Sequence, residues 1–317
     1  HSVQTKVEIA ETDDFDFDFD SDDTSTGGVE THREKQAKQF IAFSDSRQGA
    51  AFYATYLDQT YRNILYKRLV VEALKNVKLG QSVTAFVNNI AGVMERNDIA
   101  IEDVERESWK ALLAEMTDNN GATSLYNLGF IEFDIKGDSV PGLSKLNLSS
   151  EDVRNILQVF MLGMMADAAV SYPFTMSRAD KEFFTHNGAE YTYTLSDTNA
   201  RSHKHAFIPT KDHLTNKRLD YLMRIQSSLG KELPKEAAKS LLTSFWKLLV
   251  EKLGIMVTDG QGGYQIDVQK LSVKKPTAVY VCDKCKKITP HNVHGTCPTY
   301  MCGGHLSAID PAVRFKG

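Results

Sequence analysis

Gln39–Leu57 reads QFIAFSDSRQGAAFYATYL, and the rest of the chain is most easily placed relative to it. Phe40, Ile41, Ala42 and Phe43 make an apolar run of strand length. The polar Ser44-Asp45-Ser46-Arg47-Gln48 follows at once, and then a helical pattern begins. Ala50, Ala54, Leu57 and Tyr61 recur at three- and four-residue steps, the period of one helix face. Ser44, Asp45 and Ser46 are each N-cap candidates, because a short side-chain oxygen accepts from the orphan N–H groups of a first turn. Strand, polar loop and helix N-terminus in that order bring free amides and the positive end of a helix dipole together, which makes an anion site. Arg47 adds a forked permanent charge suited to a pair of phosphate oxygens. The same spacing also reads as an ordinary capped βα turn with no ligand.

The chain has 317 residues, 42% of them hydrophobic, enough for one or two real cores. No run approaches the roughly 18 apolar residues of a membrane span, and no signal peptide opens it. The expectation is a soluble, cytoplasmic protein with no membrane partner. It starts His1-Ser2 rather than with Met, which predicts a piece of something longer. The net charge of -4 hides a strong asymmetry. Residues 1–23 hold nine acids against one base, a charge of -8, so residues 24–317 carry +4. A mildly basic folded part is compatible with a nucleic-acid partner.

In order, residues 1–35 read as an acidic disordered linker. Asp13–Asp23 alternates Asp with Phe15, Phe17 and Phe19, and like charges repel where nothing buries a core. A second reading has this segment docking on a basic groove and competing with nucleic acid. The helix opened at Arg47 continues through Tyr61, Leu65, Leu69 and Val77 to a stop at Gly80. Residues 81–208 read as a helical insertion with short strands. It holds helices over Gln81–Glu95 and Glu102–Met116, the strand FIEFDI, and a strongly apolar helix after the capping-box-like Ser149-Ser150-Glu151-Asp152. The cluster Met161, Met164 and Met165 reads as core filler. Alternation over Tyr191–Leu195 predicts a strand, followed by a basic loop with Arg201, His203, Lys204 and His205. Residues 209–275 read as two helices and a hairpin, Ile255–Asp267, with Pro234 opening the second helix and Gly254 closing it. Helix, helix, hairpin is the order of a winged helix, in which Lys239 and Lys247 would face DNA; the same order also suits protein contact.

Residues 276–310 contain all four cysteines, Cys282, Cys285, Cys297 and Cys302, spaced C-x2-C-x11-C-x4-C. Two close thiol pairs separated by a loop are what a tetrahedral Zn²⁺ site needs. Four protein ligands leave no open position for water, so such a site is structural rather than catalytic. Two disulfides are the alternative, and nothing secretory supports them. His291, His294 and His305 stand close enough in sequence to replace a thiol. The predicted fold class is α+β, mainly helical, with a small four-cysteine zinc ribbon.

The string IAFSDSRQGAAFYATYLDQTYRNILYKR resembles the opening of the second RecA-like domain in large bacterial superfamily 2 helicases, the DEAD/DEAH-type enzymes that also carry a C-terminal zinc-binding domain of unknown function. The string VYVCDKCKKITPHNVHGTCPTYMCGGHL resembles the cysteine module that follows in the same family. Glu151–Tyr172 and the GYQID hairpin are similar to it more weakly, so the resemblance spans about residues 40–306. It implies that residues 36–80 are the start of a RecA-like domain and that the 44–48 loop occupies the place of helicase motif IV. Ser44, Ser46 and Arg47 would then touch a nucleic-acid backbone, with Asp45 and Gln48 shaping that contact loop. Further implied are DNA, the remainder of the helicase polypeptide and a partner subunit as partners, in DNA repair or in defence against phage or foreign DNA.

The parts that hold and split ATP are missing from the string. There is no G-x-x-x-x-G-K-[ST], since Gly230-Lys231 is followed by Glu232, and no Asp-Glu box. ATP and Mg²⁺ therefore belong to the parent enzyme, and the chain alone is expected to be inactive. The contrasting reading is a zinc-stabilised protein-interaction module with no nucleic-acid role.

Overall fold

The computed structural model describes residues 47–97, 102–118, 123–137, 140–173, 177, 180–181, 191–196, 203–210 and 215–310, with side chains from residue 60 onward. The chain divides into two compact units, His1–Arg62 and Asn63–Gly317. The described part of the first is helical. The linker 1–35 and the strand expected at Phe40–Phe43 lie outside the described residues.

Helix α1 runs Arg47–Lys75. In the second unit Tyr66, Leu69, Val70, Ala73 and Leu74 are buried, one stripe at helical spacing. The helix stops five residues ahead of Gly80, where Val77 N donates to Leu74 O at 3.0 Å and the chain turns into β1, Gln81–Ser82. Ser82 also caps α2 (Val83–Arg96) by accepting from Ala85 N, and Asp103 caps α3 (Val104–Thr117) by accepting from Arg106 N. The FIEFDI run forms β2, Glu132–Ile135.

Helix α4 is Ser150–Ala166, opened by the expected capping box between Ser149 and Asp152. Met161, Met164 and Met165 are fully buried on it, so the methionines are core filler. Phe160 meets Phe207 and Phe245 edge-on at ring separations of 5.8 and 5.5 Å. Strand β3 (Thr192–Thr194) pairs in parallel with β4, Lys204–Ala206.

Two helices follow, α5 (Lys217–Ser228) and α6 (Lys235–Lys247), the latter continued by a π turn over Leu248–Lys252. Gly254 closes this segment at φ +57°, a conformation that favours glycine. The hairpin is present as β5 (Met256–Thr258) and β6 (Tyr264–Ile266), and β6 also pairs with β3. The result is a four-stranded sheet in the order β4-β3-β6-β5. Strand β7, Leu271–Lys274, lies between β1 and β2 in a second, three-stranded antiparallel sheet. One apolar cluster from Tyr66 to Val293 fills the space between helices and sheets, which makes the class α+β. Among the described residues no helix is long and apolar enough to cross a membrane.

Candidate metal centre

The third sheet, in the order β10-β8-β9, is built from β8 (Val279–Cys282), β9 (Ile288–Thr289) and β10 (Leu306–Ile309). Its apolar cluster contains only three buried residues, Cys282, Cys297 and Leu306, with Tyr280 and Cys302 packed against them. So small a cluster cannot offset the entropy of ordering some thirty residues, and modules of this size depend on a metal or a docking partner.

The four cysteines offer a site for the first. All are free thiols, and their Sγ atoms lie within 4.8 Å of one another. Cys282 and Cys302 are 3.7 Å apart at sulfur, Cys285 and Cys297 3.6 Å. Those separations are far beyond the roughly 2.05 Å of a disulfide. They match the edge of about 3.8 Å in a tetrahedron of thiolates bonded at about 2.3 Å to a central ion. The set could hold a metal ion. Burial pushes the Cys297 thiol up to about 12. At Cys285 burial acts the same way, but the Lys287 N–H, the Thr299 hydroxyl and the neighbouring thiols prevail and bring it down to about 7. A metal entering this set displaces protons, so its binding weakens in acid.

Close approach at two glycines shapes the knuckles. A Cβ on Gly304 would stand 2.3 Å from Cys282 Sγ, and one on Gly295, at φ +71°, would stand 2.0 Å from the His305 ring. Asp283 accepts from His305 N at 2.8 Å, closing the first knuckle against the last strand. The histidines stay outside the thiol cluster. His294 Nε2 lies 3.5 Å from an Asp152 carboxylate oxygen. His291 is fully buried, and burial drives it down to about 3; its Nδ1 is 3.3 Å from Asn155 Oδ1.

What docks the module is a residue that spacing did not single out. Arg224 on α5 donates to the carbonyls of Cys297 (2.6 Å), Cys302 (2.7 Å) and Thr299 (3.0 Å). Asp220, one turn earlier, holds the guanidinium with bonds of 2.8 and 3.0 Å and accepts from Met301 N at 3.0 Å. The i,i+4 spacing of Asp220 and Arg224 is legible as a helix ion pair; its long-range target is not. Tyr126, buried in the main core, adds a hydrogen bond to Thr289 at 3.1 Å.

The proposed nucleic-acid loop is placed only in part. Ser44 and Ser46 lie outside the described residues, and Arg47 and Gln48 are the first two residues of α1, their side chains likewise outside. Compared with protein-family models, curated proteins and solved structures, the chain matches none.

Proposed function

We propose that this chain is an internal part of an ATP-dependent superfamily 2 helicase or translocase, contributing backbone contacts to DNA and a structural zinc module. One juxtaposition carries the reading. The Ser44–Gln48 string, similar to helicase motif IV, shares its chain with four thiols gathered at metal-binding separation. Zn²⁺ suits the set because an all-sulfur tetrahedral environment with no open position favours it and needs no redox chemistry. Its role is to hold Pro298–Gly304 rigid against α5, and Cys282, Cys285, Cys297 and Cys302 are its ligands. On this reading the α5–α6 pair and the β5–β6 hairpin act as a winged-helix-like element. Lys239, paired with Glu236 at 3.0 Å, and Lys247 are its candidate DNA contacts.

Fluorescence anisotropy with single-stranded, duplex and forked DNA at two salt concentrations tests the proposal. Expected is binding that weakens with salt, because phosphate contacts release counterions, and that weakens further in Arg47→Ala. Absence of binding at low salt would overturn it in favour of a protein-interaction module, and a measurable ATPase rate in the isolated chain would contradict the assignment of ATP chemistry elsewhere.

A further inference from the structure

A cleft of about 910 Å³ opens between α4, the β3–β4 strands and the first turn of α5 on one side and the metal module on the other. Its size lies within the range of small-ligand sites, roughly 300–1,000 Å³. The charge on its walls is one-sided. Lys217, exposed at the first position of α5, and Lys287, two residues past Cys285, both line it, as do Lys204 and Arg218. The sole carboxylate among the described lining residues is Asp167, which accepts the Tyr193 hydroxyl.

Arg218 is engaged, donating to the Phe207 and Ala206 carbonyls, and Lys204 donates to Gln261 O at 2.6 Å. Lys217 and Lys287 have no such partner among the described residues. A metal held by four thiolates carries residual negative charge that offsets part of Lys287, and nothing comparable among the described residues serves Lys217.

The same walls carry aromatic faces. Tyr191 packs against His203 and His205 at 5.0 and 5.2 Å, and His205 stacks on Tyr193 at 5.4 Å. Nε2 of His205 is buried without a hydrogen-bond partner among the described residues, a polar atom left for something else to satisfy. Tyr300 stands half-exposed on the facing module wall.

Lysines with no hydrogen-bonded carboxylate among the described residues, suited to phosphate, and ring faces for a base define a nucleotide unit. We propose that this cleft binds one, with its phosphate on Lys217 and Lys287 and its base against the Tyr191–His205 surface. The unit comes either from a free nucleotide or from a single strand, and the strand source rests on the function proposed above.

The test uses the whole zinc-loaded chain with fluorescein-labelled ten-residue oligothymidylate, competed by AMP, inorganic phosphate or a phosphotyrosine peptide. Lys217→Glu and Tyr191→Ala should each weaken probe binding about tenfold or more at unchanged zinc content. AMP should compete better than phosphate, and should protect Lys217 and Lys287 of the unmutated chain from acetylation read by mass spectrometry. AMP binding without strand binding assigns the site to a free nucleotide. Strand binding unchanged within twofold in both variants, with no lysine protection, overturns the cleft while leaving the helicase reading intact. Competition by the phosphopeptide alone, or no binding of either nucleotide probe, overturns it as well.

Discussion

The guanidinium of Arg224 donates to the carbonyl oxygen of Cys297 across 2.6 Å, joining α5 to a cysteine knuckle 73 residues further along the chain. Three carbonyls of the second knuckle share this one side chain. Arg224→Ala removes the guanidinium from all three, leaving Thr299 O only the Cys302 N–H at 3.1 Å and Asp220 only the Met301 N–H. The expected cost is about 2–4 kcal/mol in chemical denaturation, from charge-assisted bonds and stranded acceptors. Zinc loss to a chromogenic chelator should also quicken at least tenfold. Arg224→Lys, with a point charge in place of a fork, should fall between. A wild-type release rate in Arg224→Ala would remove the docking role.

Stripping the metal should unfold one region and spare another. The module has three buried residues in its own cluster, two of them metal-site cysteines, whereas α4 is buried in the main core. One equivalent of zinc should leave on chelation. Hydrogen exchange should then rise across Val279–Ile309 while Ser150–Ala166 stays protected. Equal loss of protection in both would mean that the module and the core fold as one unit.

Two adjacent glycines give a paired test. A Cβ on Gly304 would meet Cys282 Sγ at 2.3 Å, whereas one on Gly303 finds only the flexible Lys284 ammonium at 3.5 Å. Gly304→Ala should therefore hold less than half an equivalent of zinc, and Gly303→Ala a full one. Metal analysis of the two purified variants decides it.

Glu115 is a buried carboxylate that organises the turn before β2. It accepts from Leu125 N at 2.6 Å, Ser124 Oγ at 3.1 Å and Tyr126 N at 3.3 Å, and pairs with Lys67 at 3.2 Å. Glu115→Ala orphans two backbone amides and should cost about 3 kcal/mol. Glu115→Gln keeps an acceptor and should cost less. Urea denaturation midpoints should rank wild type, Gln, Ala.

Asp134 on β2 sets a limb of the stability profile. Burial pushes its carboxyl up, but Lys274 at 2.7 Å and Arg154 at 3.0 Å outweigh that and hold it below the ordinary carboxylate range. A folded-state pKa below the unfolded one means that the unfolded chain binds the extra proton. The stabilisation is therefore full above about pH 4 and is lost as pH falls through the depressed value. The stability difference between wild type and Asp134→Asn should narrow below that point. A difference constant from pH 7 to pH 3 would refute the ion-pair account.

Much of the local architecture was legible because it rests on local chemistry. Ser149 and Asp152 cap α4 as their three-residue spacing predicts, since both partners of a capping box lie within one turn. Gly254 ends a helical segment with the positive φ that glycine tolerates. The strand order was not legible: β7 enters a sheet between β1 and β2, strands far earlier in the chain. No residue of Leu271–Lys274 names its partners, because backbone donors and acceptors are the same in every strand.

The cysteine cluster shows where that boundary falls. Four thiols in two close pairs announce a site by themselves, because each pair spans a single turn and sulfur has few other uses at that spacing. Which side chain holds the loops, which glycine must lack a Cβ and which lysines come to line one cleft were decided only when distant segments met. Arg224 and Gly304 are ordinary surface-type residues in the string. Their roles come from the neighbours that chain closure puts beside them, and a local pattern carries no record of those neighbours.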